Sequence, residues 1–175
     1  MAGPGHSLQT SVTDLGTQWV PRPAAPGDAP ALAALDRLVN PSPWSESQFS
    51  EVCAPQAHAG TGRALVILAD TQALGFVVFS RVLDEACIHN IAVDPSLQGG
   101  GMGRFLLGAA LHQSLGEGAT RCYLEVRASN GSARGLYEKL GFQLDGLRKN
   151  YYTTAAGRED ALLMSLSLTQ LEYQR

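Results

Sequence analysis

The chain has 175 residues, 45% of them hydrophobic and 17% charged, with a net charge of -3 and a pI near 5.8. That length suits one domain with a real core, and so mild an acidic balance excludes the broad basic footprint of a protein held by nucleic-acid phosphates. The partner to expect is small or peptidic, with no direct nucleic-acid contact.

Residues 1–15, rich in Gly, Ser, Thr and Gln, read as a disordered tail and 171–175 as a short C-terminal one, leaving 16–170 as a single domain. A short strand is expected around Gln18 to Arg22, before the turn signal Pro23 to Asp28. Asp28 is placed to cap a helix with Pro30 in its first turn and Leu32, Leu35, Leu38 and Val39 at helical spacing, ending near Asn40-Pro41. Ser45, three residues before Gln48, makes a capping box for a second helix, with Trp44 stapled against Phe49. The runs Ala64 to Ala69 and Gly75 to Ser80 are strands split by the hairpin signal Asp70-Thr71-Gln72. A third strand runs from Cys87 to Val93 and stops at Asp94-Pro95, where proline removes a ladder donor.

From Met102 to Gly116 the leucines Leu107, Leu111 and Leu115, flanked by Leu106 and Ala110, give one buried helical face. Arg121 to Val126 alternates as a strand. Asn130 can cap the next helix, whose Ala133, Leu136, Tyr137 and Leu140 share a face and which Gly141 ends. Phe142 to Leu144 and Ala161 to Leu168 read as final strands, separated by a long polar loop from about Arg148 to Glu159. The order β-α-α-β-β-β-α-β-α-β-β predicts an α/β fold: a mixed sheet with helices on both faces.

The three cysteines, Cys53, Cys87 and Cys122, have no C-x-x-C spacing and read as reduced small hydrophobes. None of His6, His58, His89 and His112 is spaced with another ligand, so no metal is expected. The start of the chain, Met1 to His6, has neither the basic nor the apolar segment of a signal peptide. The longest aliphatic run, Ala64 to Ala69, is far short of the roughly 20 residues a bilayer requires. No membrane contact and a cytoplasmic location are therefore expected.

Between the strand ending at Val93 and the helix starting at Met102 lies Gln98-Gly99-Gly100-Gly101-Met102-Gly103-Arg104. Glycines let main chain approach a ligand, and a helix N-terminus offers free N–H groups and about half a positive charge, so the loop reads as a pyrophosphate cradle. It is not a Walker loop, because Arg104-Phe105 follows Gly103, and it lacks the G-x-G-x-x-G of a dinucleotide fingerprint. A plain turn is the structural alternative.

Two residues are placed to do chemistry. Glu125 lies near the end of its strand, on the opposite face from Leu124 and Val126, and Tyr137 lies about two turns into the following helix. The connection covers roughly 15 Å of extended chain and the helix returns about 10 Å, so antiparallel packing is expected to bring the two side chains close. The spacing of Gln98, Gly101 and Gly103 resembles the coenzyme A loop of an acyltransferase family, which implies acetyl transfer from a thioester to an amine. That reaction needs a proton acceptor for the amine and a donor for the thiolate, which a carboxylate and a phenol can divide. No acyl-enzyme nucleophile is visible, so direct attack by the amine is expected. A backbone N–H near Val93 can polarise the carbonyl if the adjoining strands splay. The structural alternatives are a core tyrosine and a glutamate that is either a solvated charge or an arginine's partner, with Arg127 near, and Asn130 is first of all a helix cap. Trp44 and Phe49 are most simply a staple, and Tyr151 and Tyr152 a cover for the sheet end.

The spacing Gln-x-x-Gly-x-Gly after Val93-Asp94-Pro95 resembles the coenzyme A loop of the GNAT acyltransferase superfamily. With Asn90 to Pro95, Leu124 to Asn130, Leu136-Tyr137-Glu138, Leu140-Gly141-Phe142, Asn150-Tyr151-Tyr152 and Glu159-Asp160-Ala161, the chain from about Asp28 to Leu168 resembles the RimI branch, the ribosomal-protein-alanine N-acetyltransferases. The resemblance implies the GNAT fold, a mostly antiparallel sheet of about seven strands, and acetyl-CoA as co-substrate. It implies that Ile91, Ala92 and Val93 run along the acetyl-pantetheine arm and that Gly99, Gly100, Gly101, Met102, Gly103 and Arg104 wrap the pyrophosphate. It also implies that Asn130 contacts the cofactor, that Glu125 accepts a proton and that Tyr137 donates one. The implied acceptor is the free N-terminal amine, usually alanine, of a small-subunit ribosomal protein. Its pKa of about 7.7–8.0, some 2.5 units below that of lysine, suits a glutamate base.

Two departures stand out. Gly99 and Gly100 occupy positions where the branch often has basic residues, and the residues before Asp28 exceed what the family needs. Acetylation of lysines or small amines, and a coenzyme A-binding module without turnover, are the competing readings. The sequence leaves association with a further partner protein open.

Overall fold

The computed structural model describes residues 19–55 and 62–169; the expected tails at 1–15 and 171–175 lie outside them, as do Gln18, His6 and His58. Among the described residues the strands are β1 (Arg22–Pro23), β2 (Arg63–Ala69), β3 (Gln72–Val82), β4 (Glu85–Val93), β5 (Arg121–Arg127), β6 (Gln143–Thr154) and β7 (Gly157–Ser167). The helices are α1 (Ala29–Val39), α2 (Glu46–Val52), α3 (Met102–Gly116) and α4 (Gly131–Lys139). The strands form one sheet in the order β1-β2-β3-β4-β5-β7-β6. Only β4 and β5 pair parallel, which requires a crossover, and α3 supplies it.

Alternation along β2 and β3 divides the apolar side chains between two cores. Leu65, Ile67, Val77 and Phe79 join α3 and Tyr137 of α4 on one side, while Ala64, Val66, Phe76 and Val78 join α1 and α2 on the other. Each large side chain fully buried this way contributes about 1.5–3 kcal/mol. The expected leucine face of α3 is fully buried at Leu106, Leu107 and Leu111. The capping box forms, with Ser45 accepting from Gln48 N–H and the Gln48 side chain accepting from Ser45 N–H. The Trp44 and Phe49 rings lie 5.5 Å apart. Buried Asp36 of α1 accepts from Trp44 N–H (2.7 Å) and from the Asn90 side chain (3.1 Å), tying the α1–α2 loop to β4. Burial pushes its carboxyl above the usual carboxylate range.

Three expectations are corrected. The first strand is only two residues long because Pro21 and Pro23 remove ladder donors, and Trp19 packs on Phe105 of α3 instead (6.2 Å). The Asp28 side chain does not cap α1: it accepts from Ala25 N–H (2.7 Å) and pairs with Arg22, closing a single 3-10 turn. The polar stretch from Arg148 to Glu159 is no loop, since β6 and β7 run through it to a tight turn at Ala155-Ala156. As an edge strand, largely exposed, β6 carries no alternating hydrophobic pattern. Its ladder is also broken at Leu144/Gly146 and Arg148/Tyr152, where Asn150 has φ 53°.

Close approach of α3 to the sheet depends on Gly75, where a Cβ would lie 2.9 Å from both Leu106 Cδ1 and Met102 Sδ and 3.3 Å from the Ala92 carbonyl oxygen. Gly75→Ala is expected to cost about 1–3 kcal/mol through overpacking, seen as a lower denaturant midpoint with unchanged slope.

Candidate active site

The β4–β5 ladder runs from Glu85↔Arg121 to Ile88↔Leu124 and stops. On their outer sides both strands stay paired, β4 with β3 as far as Gly75↔Val93 and β5 with β7 as far as Arg127↔Ala161. The two strands therefore part in the middle of the sheet. The register of β3 on β4 jumps from Phe79↔Ile88 to Val78↔Asn90, so His89 bulges at the point of separation and sits 2.7 Å from the Ser80 hydroxyl. Beyond the bulge, Asp94 N–H donates to the Leu74 carbonyl (2.8 Å). By alternation, Asn90 and Ala92 point their N–H groups at β3, and Ile91 and Val93 point theirs into the gap. The condition set for an N–H near Val93, that the adjoining strands splay, is met, and Gln98 donates to the Val93 carbonyl there (3.1 Å).

The glycine loop follows directly. Gly99 (φ +81°) and Gly101 (φ +91°) adopt backbone conformations that side chains disfavour, which accounts for glycine at both; Gly100 has no such φ. Gly101 is the N-cap of α3 and offers no side-chain acceptor. The N–H groups of Met102, Gly103 and Arg104 thus lack a helical partner, the first helical bond being Phe105 N–H to the Gly101 carbonyl (3.0 Å). Met102 is fully buried, so only its main chain faces the loop, whereas Arg104 is exposed. A Cβ on Gly103 would meet Leu136 at 3.4 Å and Val93 at 3.7 Å, so α3, α4 and β4 converge there. Free donors at the start of a 15-residue helix, beside an unpaired strand end, fit an elongated ligand with a pyrophosphate.

Glu125 and Tyr137 reach this region from opposite faces of the sheet. Glu125 lies just past the last β4–β5 pair, on the face away from buried Leu124 and Val126. The α1 core contains no β5 residue, and the Glu125 side chain is 31% exposed. Tyr137 is buried with Leu124 and Val126 on the α3 face. The expected close approach is not a direct contact: no hydrogen bond joins them among the described residues. Instead Tyr152 of β6 lies within electrostatic range of both. Burial pushes the Tyr137 phenol up to about 12, so it stays protonated at neutral pH. Asn130 caps α4 by accepting from Ala133 N–H (3.1 Å).

Arg127 is not the partner of Glu125. It binds Glu159 of β7 (2.6 Å), donates to Ser42 of the α1–α2 loop (2.9 Å) and lies 4.1 Å over the Tyr152 ring. Ser129 and Arg127 hold the Glu159 carboxyl below its ordinary range. Glu125 pairs instead with Arg148 of β6 (3.1 Å). The α1–α2 loop and the β6–β7 hairpin thus border the outer face of β5. Neither Ser42, Glu159 nor Arg148 carries a local sequence signal for this, because their contacts cross from other elements. Among the described residues no group of three or more His, Cys, Asp or Glu is placed to hold a metal ion, and no helix is long and apolar enough to cross a membrane.

The fold agrees with the comparisons. The acetyltransferase (GNAT) family model matches residues 29–142, and the chain belongs to that family. It is 39% identical over 145 residues, 81% of this chain and 93% of the relative, to the ribosomal protein bS18-alanine N-acetyltransferase of Salmonella typhimurium. The crystal structure of the ribosomal-protein-S18-alanine N-acetyltransferase from Escherichia coli covers 85% of this chain and 93% of its own at 36% identity, with a TM-score of 0.76. Arabidopsis thaliana NAA60 in complex with acetyl-CoA, at 19% identity, shares the fold over 86% of this chain and 98% of its own, with a TM-score of 0.76.

Alanine at Gly101 would force a residue with a Cβ to a positive φ, at a cost of about 1 kcal/mol or more, and turn the first N–H groups of α3. Gly101→Ala is expected to weaken acetyl-CoA binding by at least about fivefold in calorimetry. Gly108→Ala, in the same helix with open space around it, is expected to leave binding unchanged.

Proposed function

We propose that the chain is an Nα-acetyltransferase that moves acetyl from acetyl-CoA to the free N-terminal amine, alanine by preference, of a small-subunit ribosomal protein. The observation that carries this reading is the gap between β4 and β5, with a pyrophosphate cradle at one end and a carboxylate on the outer face. Support for the substrate comes from the two bacterial relatives, whose names state ribosomal protein S18 alanine as their acceptor. A ribosomal acceptor puts the reaction in the cytoplasm, carried out by one domain over residues 16–170.

In this reading acetyl-CoA supplies the activated acyl group as a thioester. The loop from Gly99 to Arg104 wraps its phosphates with its free N–H groups, that of Gly100 being spent on the Leu97 carbonyl. The exposed Arg104 adds charge, Asn130 contacts it from the start of α4, and Ile91 and Val93 line its arm. Ala92 serves by its fold: its N–H is spent on β3 and its side chain fills the α1 core. The amine approaches from the outer face and passes its proton to Glu125 through water. The Val93 or Ile91 N–H stabilises charge developing on the acyl oxygen, and Tyr137, protonated at the inner face, gives a proton to the departing thiolate.

Glu125→Gln and Tyr137→Phe are each expected to lower kcat at least about 10²-fold, with acetyl-CoA affinity retained. Unchanged rates would reject the roles given to these two residues, whereas acetyl-CoA binding with no transfer by the wild-type chain would mark a coenzyme A-binding module without turnover. On peptides, a free N-terminal alanine is expected to give a higher kcat/KM than an N-blocked lysine peptide, and the reverse order would make lysine or small amines the acceptors.

A further inference from the structure

The pair between Arg148 and Glu125 carries an inference that rests on the reading of Glu125 as base. Arg148 lies opposite Ala161 across the β6–β7 ladder, and Ala161 lies opposite Arg127 across the β5–β7 ladder. The arginine arm therefore passes over β7 beside a residue too small to block it. Its Nη1 reaches 3.1 Å from Glu125 Oε1, and its Cζ stands 5.3 Å from the Tyr151 ring centroid. Both side chains are partly exposed, 51% and 31%, so the pair is weak and exchangeable.

The other groups facing Glu125 do not compete for this role. Cys87 of β4 and Tyr152 of β6 stay neutral at working pH, since burial raises both, and Arg127 is matched by Glu159 of β7. Among the described residues Arg148 has no carboxylate partner other than Glu125. An incoming α-ammonium carries the same charge as Arg148 and seeks the same carboxylate.

We propose that Arg148 is the resting counter-ion of Glu125 and a positioning residue for its proton transfer. It holds the carboxylate in place beside the gap, and once the acceptor is bound its charge disfavours the ammonium form over the reactive neutral amine. The proton leaves the amine nitrogen for the Glu125 carboxylate through water, while the guanidinium keeps its own protons throughout. Disfavouring the ammonium extends activity to lower pH.

The test is the pH profile of kcat, which reports groups in the bound complex, measured with a peptide bearing a free N-terminal alanine at saturating acetyl-CoA. Wild type, Arg148→Gln, Arg148→Lys and Glu125→Gln are compared. The acid limb of Arg148→Gln is expected to move up by about half to one pH unit, and the shift to shrink in molar salt, where the Debye length is about 3 Å. Arg148→Lys keeps the charge and is expected to restore most of the wild-type position. With Glu125→Gln inactive, an unmoved limb in Arg148→Gln, a uniform loss at every pH, or an equal shift in Arg148→Lys overturns the proposal and leaves the base in place. An active Glu125→Gln overturns the base reading and this inference with it.

Discussion

The structure turns on two strands that part in the middle of a sheet. Strand ends normally reach solvent or a partner, and buried donors left unpaired are costly. Here β4 and β5 are each held firmly on the outer side while the ladder between them stops at Ile88 and Leu124. The bulge at His89 sits where they separate and re-aims β4, so that Ile91 and Val93 turn main-chain donors into the opening. Within such a sheet, a ligand with amide and phosphate groups is the natural complement.

Everything that could serve chemistry is placed relative to that opening. The glycine loop begins a few residues after β4 ends, so the free N–H groups of α3 lie at its mouth, and Gly103 lets α3, α4 and β4 converge beneath it. Glu125 is the first β5 residue past the last pair with β4, which puts a carboxylate at the edge of the gap on the outer face. Tyr137 comes from the inner, apolar side. Their environments differ accordingly: the carboxylate is partly solvated beside an arginine, and the phenol is buried and held protonated. Such a contrast separates a proton acceptor from a proton donor. The α1–α2 loop, tied down through Asp36 to Asn90 and through Ser42 to Arg127, and the β6–β7 hairpin give the outer face its walls.

Local rules carried most of the fold. The leucine spacing of α3, the Ser45–Gln48 box, Asn130 as a cap, the Asp70-Thr71 turn and the alternation of β5 depend on neighbours in sequence, and all are found. The glycine loop was legible for the same reason, since a helix start and positive φ are local demands. What escaped depends on distant partners. Residues Arg148 to Glu159 look like a loop because an edge strand without a covered face needs no apolar alternation. Arg127 looks like the partner of Glu125 because it is near in sequence, yet the sheet order brings Arg148 to that carboxylate from two strands away. The chain between Glu125 and Tyr137 is short enough to bring them near each other, yet the two side chains lie on opposite faces of the sheet, which spacing along the chain does not reveal.

Amide hydrogen exchange, with and without acetyl-CoA, tests the central claim most directly. If the gap and the cradle hold that ligand, the N–H groups of Ile91, Val93 and Gly99 and those from Gly101 to Arg104 gain protection on its addition, while Ala92 and Asp94, already bonded to β3, change little. Equal protection across the sheet, or none at Ile91 and Val93, would contradict it.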